Sequence, residues 1–214
     1  ALLKKERIAS EPTPFSPWGL RLLDKPNVTD SDAFKKGAVE VQDEGSQLLA
    51  LLVDAKRGEM VVDFCAGGGG KTLALGAAMR NTGRLYAMDT SAHRLDGLKP
   101  RLARSGLSNV HPLAIAHERD DRIKRLSGKI DRVLVDAPCS GSGTWRRAPH
   151  LKWTTTPGQI EEAAVRQREL LARFAAHVRP GGRLVYATCS LSRAENGAVV
   201  AAFVEEHPHF QVEP

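Results

Sequence analysis

From residue 43 onward the hydrophobic positions follow a steady rhythm. Gln47, Leu48, Leu51 and Leu52 recur at helical spacing behind Asp43, and Gly58 lies beyond the end of that predicted helix. Residues 60–64 read as a short apolar strand, followed by glycines at 67–70 and a helix over 71–79. A second strand is predicted over 85–88, then one helix through Leu95, Leu98 and Leu102, then a third strand over 110–116. Residues 133–135 give a fourth strand, and after a loop a long helix is predicted over 159–178. Pro180-Gly181-Gly182 predicts a turn into a fifth strand over 184–187, and a last helix covers 194–206. The first forty residues lack such a period. Pro12, Pro14, Pro17 and Pro26 punctuate them, and Thr29-Asp30-Ser31-Asp32 is turn or cap chemistry.

Continuously apolar strands alternating with helices specify an α/β fold, with a mostly parallel sheet covered on both faces. The predicted organisation is an arm over 1–40 and one Rossmann-like domain over 41–214. No internal repeat interrupts it. In such sheets ligands bind beyond the carboxyl ends of the strands. The polar and reactive residues gather at those ends: Asp63 and Cys65, Asp89, Asp136 to Cys139, and Thr188 to Ser190.

Composition narrows the class further. With 214 residues and 42% hydrophobic content the chain can bury a core. No apolar run approaches the roughly 20 residues that span a bilayer, and the opening ALLKKERIAS has no secretory pattern. Cys65, Cys139 and Cys189 are too few for a disulfide framework and show no metal-ligand spacing. The expectation is a cytoplasmic monomer with reduced thiols and neither metal nor membrane. The net charge of +6 is carried entirely by residues after 57, and Arg146, Arg147 and Lys152 have no acid among them. Beside Trp153 they suit a polyanion whose bases can stack, which points to nucleic acid.

Two constellations carry chemistry. Val62-Asp63-Phe64-Cys65-Ala66-Gly67-Gly68-Gly69-Gly70-Lys71-Thr72 is a strand, glycine loop and helix start, and Asp89 sits nineteen residues beyond Gly70 at the end of the next strand. Glycines let a ligand approach the backbone, a helix start offers N–H groups, and the carboxylate can accept both ribose hydroxyls. An adenosine-containing ligand is expected. A phosphate-loop NTPase is the alternative, with Gly70-Lys71-Thr72 as its core, although Cys65 stands where that loop requires glycine. The second constellation is Asp136-Ala137-Pro138-Cys139-Ser140 with Thr188-Cys189-Ser190, each placing a thiol just past an apolar strand. These strands should be neighbours, which makes the thiols a candidate nucleophile pair.

The strings VDFCAGGGGKT, LVDAPCSGSGTWRR and LVYATCSLSRAEN, with PFSPWGLRL and VEVQDEGSQLLA upstream, resemble the RsmB-like (Sun) family of RNA cytosine-5 methyltransferases. The resemblance runs from about residue 12 to the C-terminus. It implies a Rossmann-like methyltransferase that uses S-adenosylmethionine to form 5-methylcytosine in ribosomal RNA, with 16S RNA the expected substrate. By motif, Cys189 would add to C6 of the base, Cys139 would assist resolution, and Asp136 would contact the N3 edge. Cys65, Ala66, Gly67, Gly68, Gly69, Gly70 and Lys71 would cradle the cofactor, Asp89 would hold its ribose and Arg94 would lie near the adenosine. Asp136 would also border the cofactor, and an acid after the third strand, Glu118 or Asp120, would reach the adenine. Arg146, Arg147 and Lys152 would meet RNA phosphates. Gly68 replaces a proline usual in the family. The family also implies an RNA-binding domain before residue 1 and a closing hairpin after the last helix, so the chain is expected to be a fragment trimmed at both ends. A non-catalytic RNA-binding module remains the other alternative.

Overall fold

The computed structural model describes residues 2–117 and 120–213, and the chain divides into two compact units with the boundary between Ile115 and Ala116. Among the described residues, the strands of the larger ladders pair in parallel within each unit.

The first unit begins with helix α1 (Leu2–Lys5) and a hairpin of β1 (Ser10–Pro12) and β2 (Leu20–Leu22), in which Ser10 faces Leu22. Helix α2 (Asp32–Lys35) follows. The arm is therefore more ordered than its lack of period suggests. Side chains bonding to backbone account for this. Glu6 accepts from the Asp32 and Ala33 N–H groups, Ser31 caps α2, and Glu44 accepts from the Phe15 and Ser16 N–H groups at 2.8 Å each. Such bonds satisfy backbone groups without leaving a hydrophobic period.

Next come α3 (Glu44–Val53), β3 (Met60–Phe64), α4 (Gly70–Ala78), β4 (Arg84–Asp89), α5 (Ala92–Asp96), α6 (Leu98–Ser105) and β5 (Val110–Ala114). In β3 and β4 Met60 pairs with Arg84 and Phe64 with Met88, while β4 and β5 pair from Leu85 with Val110. Val61, Val62, Phe64, Leu85, Ala87 and Met88 are buried, as continuous apolar strands covered on both faces should be. The single helix expected through Leu95, Leu98 and Leu102 is two, joined at Gly97. Pro100 sits in the first turn of α6, where its missing N–H costs no hydrogen bond.

The second unit contains α7 (Asp121–Lys124), β6 (Ile130–Asp136), α8 (Leu151–Thr154), α9 (Pro157–Ala175), β7 (Val178–Ala187) and α10 (Gly197–Glu206). Strands β6 and β7 are parallel neighbours, with Val133 opposite Leu184 and Asp136 opposite Ala187. β7 starts six residues earlier than the sequence suggests, and the expected turn at 180–182 lies inside it. The register shifts between Ile130 and Arg132, and Gly181 at φ +72° absorbs the irregularity. Thr156 opens α9 with a full capping box, its hydroxyl accepting from Gln159 N–H while the Gln159 side chain accepts from Thr156 N–H. Ala164, Leu171, Ala175, Val199 and Phe203 form a core against which Leu184 and Tyr186 pack.

Candidate active site

In the first unit, β3 delivers the chain into the glycine loop. The buried Asp63 accepts a 2.5 Å hydrogen bond from the Thr72 hydroxyl of α4, tying strand to helix across the loop. Cys65 adopts a left-handed conformation at φ +63°, and Ala66 N–H donates to the Met88 carbonyl at 3.0 Å. Gly69, at φ +79°, precedes α4, and a Cβ there would lie 2.2 Å from Leu98 Cδ1. Asp89 is only 4% exposed. Its two oxygens accept from Gly67 N–H at 2.9 Å and Ser91 N–H at 2.8 Å, so the expected ribose acceptor also fastens the loop to the end of β4. Each oxygen keeps a second lone pair for a ligand.

Sequence reasoning missed Arg101. From α6 its guanidinium donates to the Gly68 carbonyl and pairs with Glu40 at 3.4 Å, and Glu40 also binds Arg104 at 2.6 Å. The i, i+3 spacing of Arg101 and Arg104 on one helix face was the available signal. Lys71 is half-buried in the first turn of α4, and Arg94 is exposed on α5. An open groove of about 1130 Å³ in this unit is lined by Trp18, Leu20, Val41, Leu51 and Leu73, and it reaches the loop at Gly70.

In the second unit, β6 ends at Asp136 and β7 at Ala187, and Ala137 N–H donates to the Ala187 carbonyl at 2.9 Å. This pairing brings Cys139 and Cys189 together, with their sulfurs 3.3 Å apart. The hydrogen bond to Cys189 and then burial hold the Cys139 thiol well above its usual pKa, and either sulfur can be the donor across the contact, with Cys189 the more exposed of the two. Gly143 N–H donates to the Cys189 carbonyl at 2.9 Å, and a Cβ on Gly143 would come 2.7 Å from that oxygen. Ser142 Oγ accepts from Leu191 N–H at 2.8 Å and lies 3.1 Å from Ser190 Oγ. Asp136 is half-buried at its strand end.

Glu195, also missed by sequence reasoning, lies between the thiol loops. It accepts from Ser140, Ser190 and Gln167 side chains. Asp120 caps α7 and receives the Arg122 guanidinium, which holds its carboxyl far below the usual range. Glu118 lies outside the described residues. Arg146 and Arg147 are exposed ahead of α8, on which the Lys152 ammonium sits 5.5 Å from the ring centre of Trp153, itself 82% exposed. Among the described residues no group of three or more His, Cys, Asp or Glu could hold a metal ion. Nor is any described helix long and apolar enough to cross a membrane.

Parallel strands with a glycine loop opening a helix and a carboxylate ending the next strand in the first unit, and two thiols past neighbouring parallel strands in the second, define a Rossmann-like α/β protein of the methyltransferase kind. Its solved likenesses agree. The crystal structure of PH0851 is 37% identical with a TM-score of 0.91, covering 99% of this chain and 48% of that one. NSun6 from Pyrococcus horikoshii, solved with SFG, is 30% identical with a TM-score of 0.76, covering 88% and 48%. The probable ribosomal RNA small subunit methyltransferase B of Bacillus subtilis is 37% identical over 188 residues, 87% of this chain and 42% of that protein. Residues 50–214 match the family described as 16S rRNA methyltransferase RsmB/F, and the chain belongs to that family. It spans less than half the length of the curated relatives it matches.

Proposed function

We propose that the chain is the catalytic part of a ribosomal RNA cytosine-5 methyltransferase, acting on 16S RNA through a covalent adduct between Cys189 and C6 of the base. The observation that carries this reading is the 3.3 Å approach of Cys139 and Cys189 at neighbouring strand ends. One sulfur must become a nucleophile while the other manages a proton. With Cys139 as the donor of the S–H between them, a Cys189 thiolate would be stabilised.

Attack of that thiolate on C6 forms a C–S bond and moves the electron pair to C5, which then takes the methyl group. Once Cys189 is bonded to carbon, Cys139 no longer faces an anionic sulfur. It can release its proton to solvent and then accept the C5 proton. Loss of that proton restores the ring double bond as the C6–S bond breaks. Asp136, at the end of β6, would steady the base at its N3 edge. The base must leave any duplex to reach the thiol, and Arg146, Arg147 and Lys152 would hold the flanking phosphates.

S-adenosylmethionine, when bound, supplies the methyl group as an electrophile. The residues present fit it. An added Cβ at Gly67 would find nothing nearer than the Cys65 carbonyl at 3.9 Å, so the loop backbone is open to close approach. Cys65 to Lys71 would line the cofactor, Asp89 would accept from its ribose, and Arg94 and Asp120 would border the adenosine. Family membership favours this cofactor over the phosphate-loop alternative.

Calorimetry with S-adenosylhomocysteine, ATP–magnesium and NAD tests the cofactor, and selective S-adenosylhomocysteine binding is expected. ATP binding without it contradicts the reading. Cys189→Ala is expected to abolish 5-methylcytosine formation while leaving that binding intact. Methylation at the wild-type rate by this variant would remove Cys189 from the chemistry.

A further inference from the structure

The reaction above makes no use of the buried acid between the thiol loops. Glu195 is 0% exposed, as is its neighbour Gln167. One carboxylate oxygen accepts from Ser140 N–H at 2.8 Å and from Gln167 Nε2 at 3.1 Å. The other accepts from the hydroxyls of Ser140, at 2.5 Å, and Ser190. Ser140 follows Cys139 in the chain and Ser190 follows Cys189. Gln167 also donates to the carbonyl of Pro138, the residue before Cys139, at 2.9 Å. The Glu195 backbone is fixed in turn, because the Tyr186 hydroxyl donates to its carbonyl at 2.6 Å.

The protons fall into one pattern. Each serine hydroxyl has a single hydrogen, so Ser140 and Ser190 donate to Glu195 and their mutual 3.2 Å contact carries none. Ser142 is then left to donate to Ser190. All four donors require an acceptor, which a carboxylate satisfies only when ionised. Burial by itself would raise its pKa, but the hydrogen bonds from Ser140 and Ser190 outweigh it, and the group lies below its ordinary value. A buried anion with this partner set is costly unless every donor stays in place.

We infer that Glu195 is a positioning residue that sets the separation of the Cys139 and Cys189 sulfurs by anchoring both thiol-bearing loops to one buried charge. Its consequence for catalysis rests on the cytosine chemistry proposed above, whereas the sulfur spacing does not. An amide at this position keeps the size but turns two hydrogens toward hydroxyls that now donate. The serines must then rotate and the loops lose their common anchor.

The test is the rate at which the two thiols join. Diamide takes two electrons and two protons from the pair, becoming a hydrazine as the S–S bond forms, and peptide mass spectrometry identifies the Cys139–Cys189 link. In Glu195→Gln, at a temperature where its melting curve shows it folded, linking is expected to slow by roughly tenfold or more, because small displacements of reacting groups are costly. Turnover kcat should fall alongside, with KM for S-adenosylmethionine unchanged. Should Glu195→Gln fail to fold, Ser190→Ala, which removes one donor from the Cys189 side, is expected to show a smaller slowing of the same link. Folded Glu195→Gln linking at the wild-type rate overturns the inference, as does a wild-type pair that does not link. Slowed linking in a protein that methylates no RNA upholds the inference and removes the cytosine chemistry instead.

Discussion

A single methyl group at position 69 probes the cofactor loop. Gly69 holds φ +79° with Leu98 Cδ1 2.2 Å from where a Cβ would stand. Gly69→Ala therefore meets both backbone strain and a clash with a buried side chain. We expect a loss of about 1–3 kcal/mol in denaturant unfolding, with weaker S-adenosylhomocysteine binding. Unchanged stability would show that the loop relaxes freely. At this scale the sequence was legible where chemistry is local. A thiol past an apolar strand and a carboxylate nineteen residues beyond a glycine run can both be read from spacing. Glu195 could not be read this way. Glu195 begins as an ordinary acid in Ser-Arg-Ala-Glu-Asn, and only the folded chain brings Ser140, fifty-five residues away, onto its carboxylate.

Among the elements, α9 has the plainest entry in the chain. Thr156 and Gln159 satisfy one another's backbone N–H groups and Pro157 opens the first turn. Thr156→Ala removes the hydroxyl that accepts from Gln159 and should cost about 1 kcal/mol. Gln167 and Leu171 both lie on α9, so native-state hydrogen exchange should show its first turn opening more readily in that variant. An exchange pattern identical to wild type would contradict this. Strands β3, β4 and β6 were legible because buried parallel strands are continuous apolar runs. Other elements were misread for identifiable reasons. Proline and glycine at 180–182 signal a turn, yet a register shift lets β7 run through them. The helices and hairpin of the arm are fastened by Glu6, Ser31 and Glu44, whose hydrogen bonds leave no period to detect.

For the molecule as a whole, two buried groups contribute to the dependence of stability on acid. Burial lowers the pKa of His177 below its ordinary 6.5, so the unfolded chain binds more protons there and stability falls as pH drops below about that value. Glu195 lies below its ordinary 4.5. Its contribution is therefore present above that pH and is lost as pH falls through the lower folded value. Urea midpoints should decline modestly below about pH 6.5 and then more steeply below about pH 4.5. In His177→Gln, which retains an amide hydrogen-bonding group, the first decline should flatten. If it persists unchanged, another group causes it.

The central claim is that Cys189, and not Cys139, attacks the base, and RNA carrying 5-fluorocytosine tests it directly. Fluorine at C5 cannot leave as a proton does, so a methylated adduct should persist when S-adenosylmethionine is present. Digestion and peptide mass spectrometry are expected to place the nucleotide on Cys189. An adduct on Cys139, or none from protein that binds both RNA and S-adenosylhomocysteine, would contradict the account.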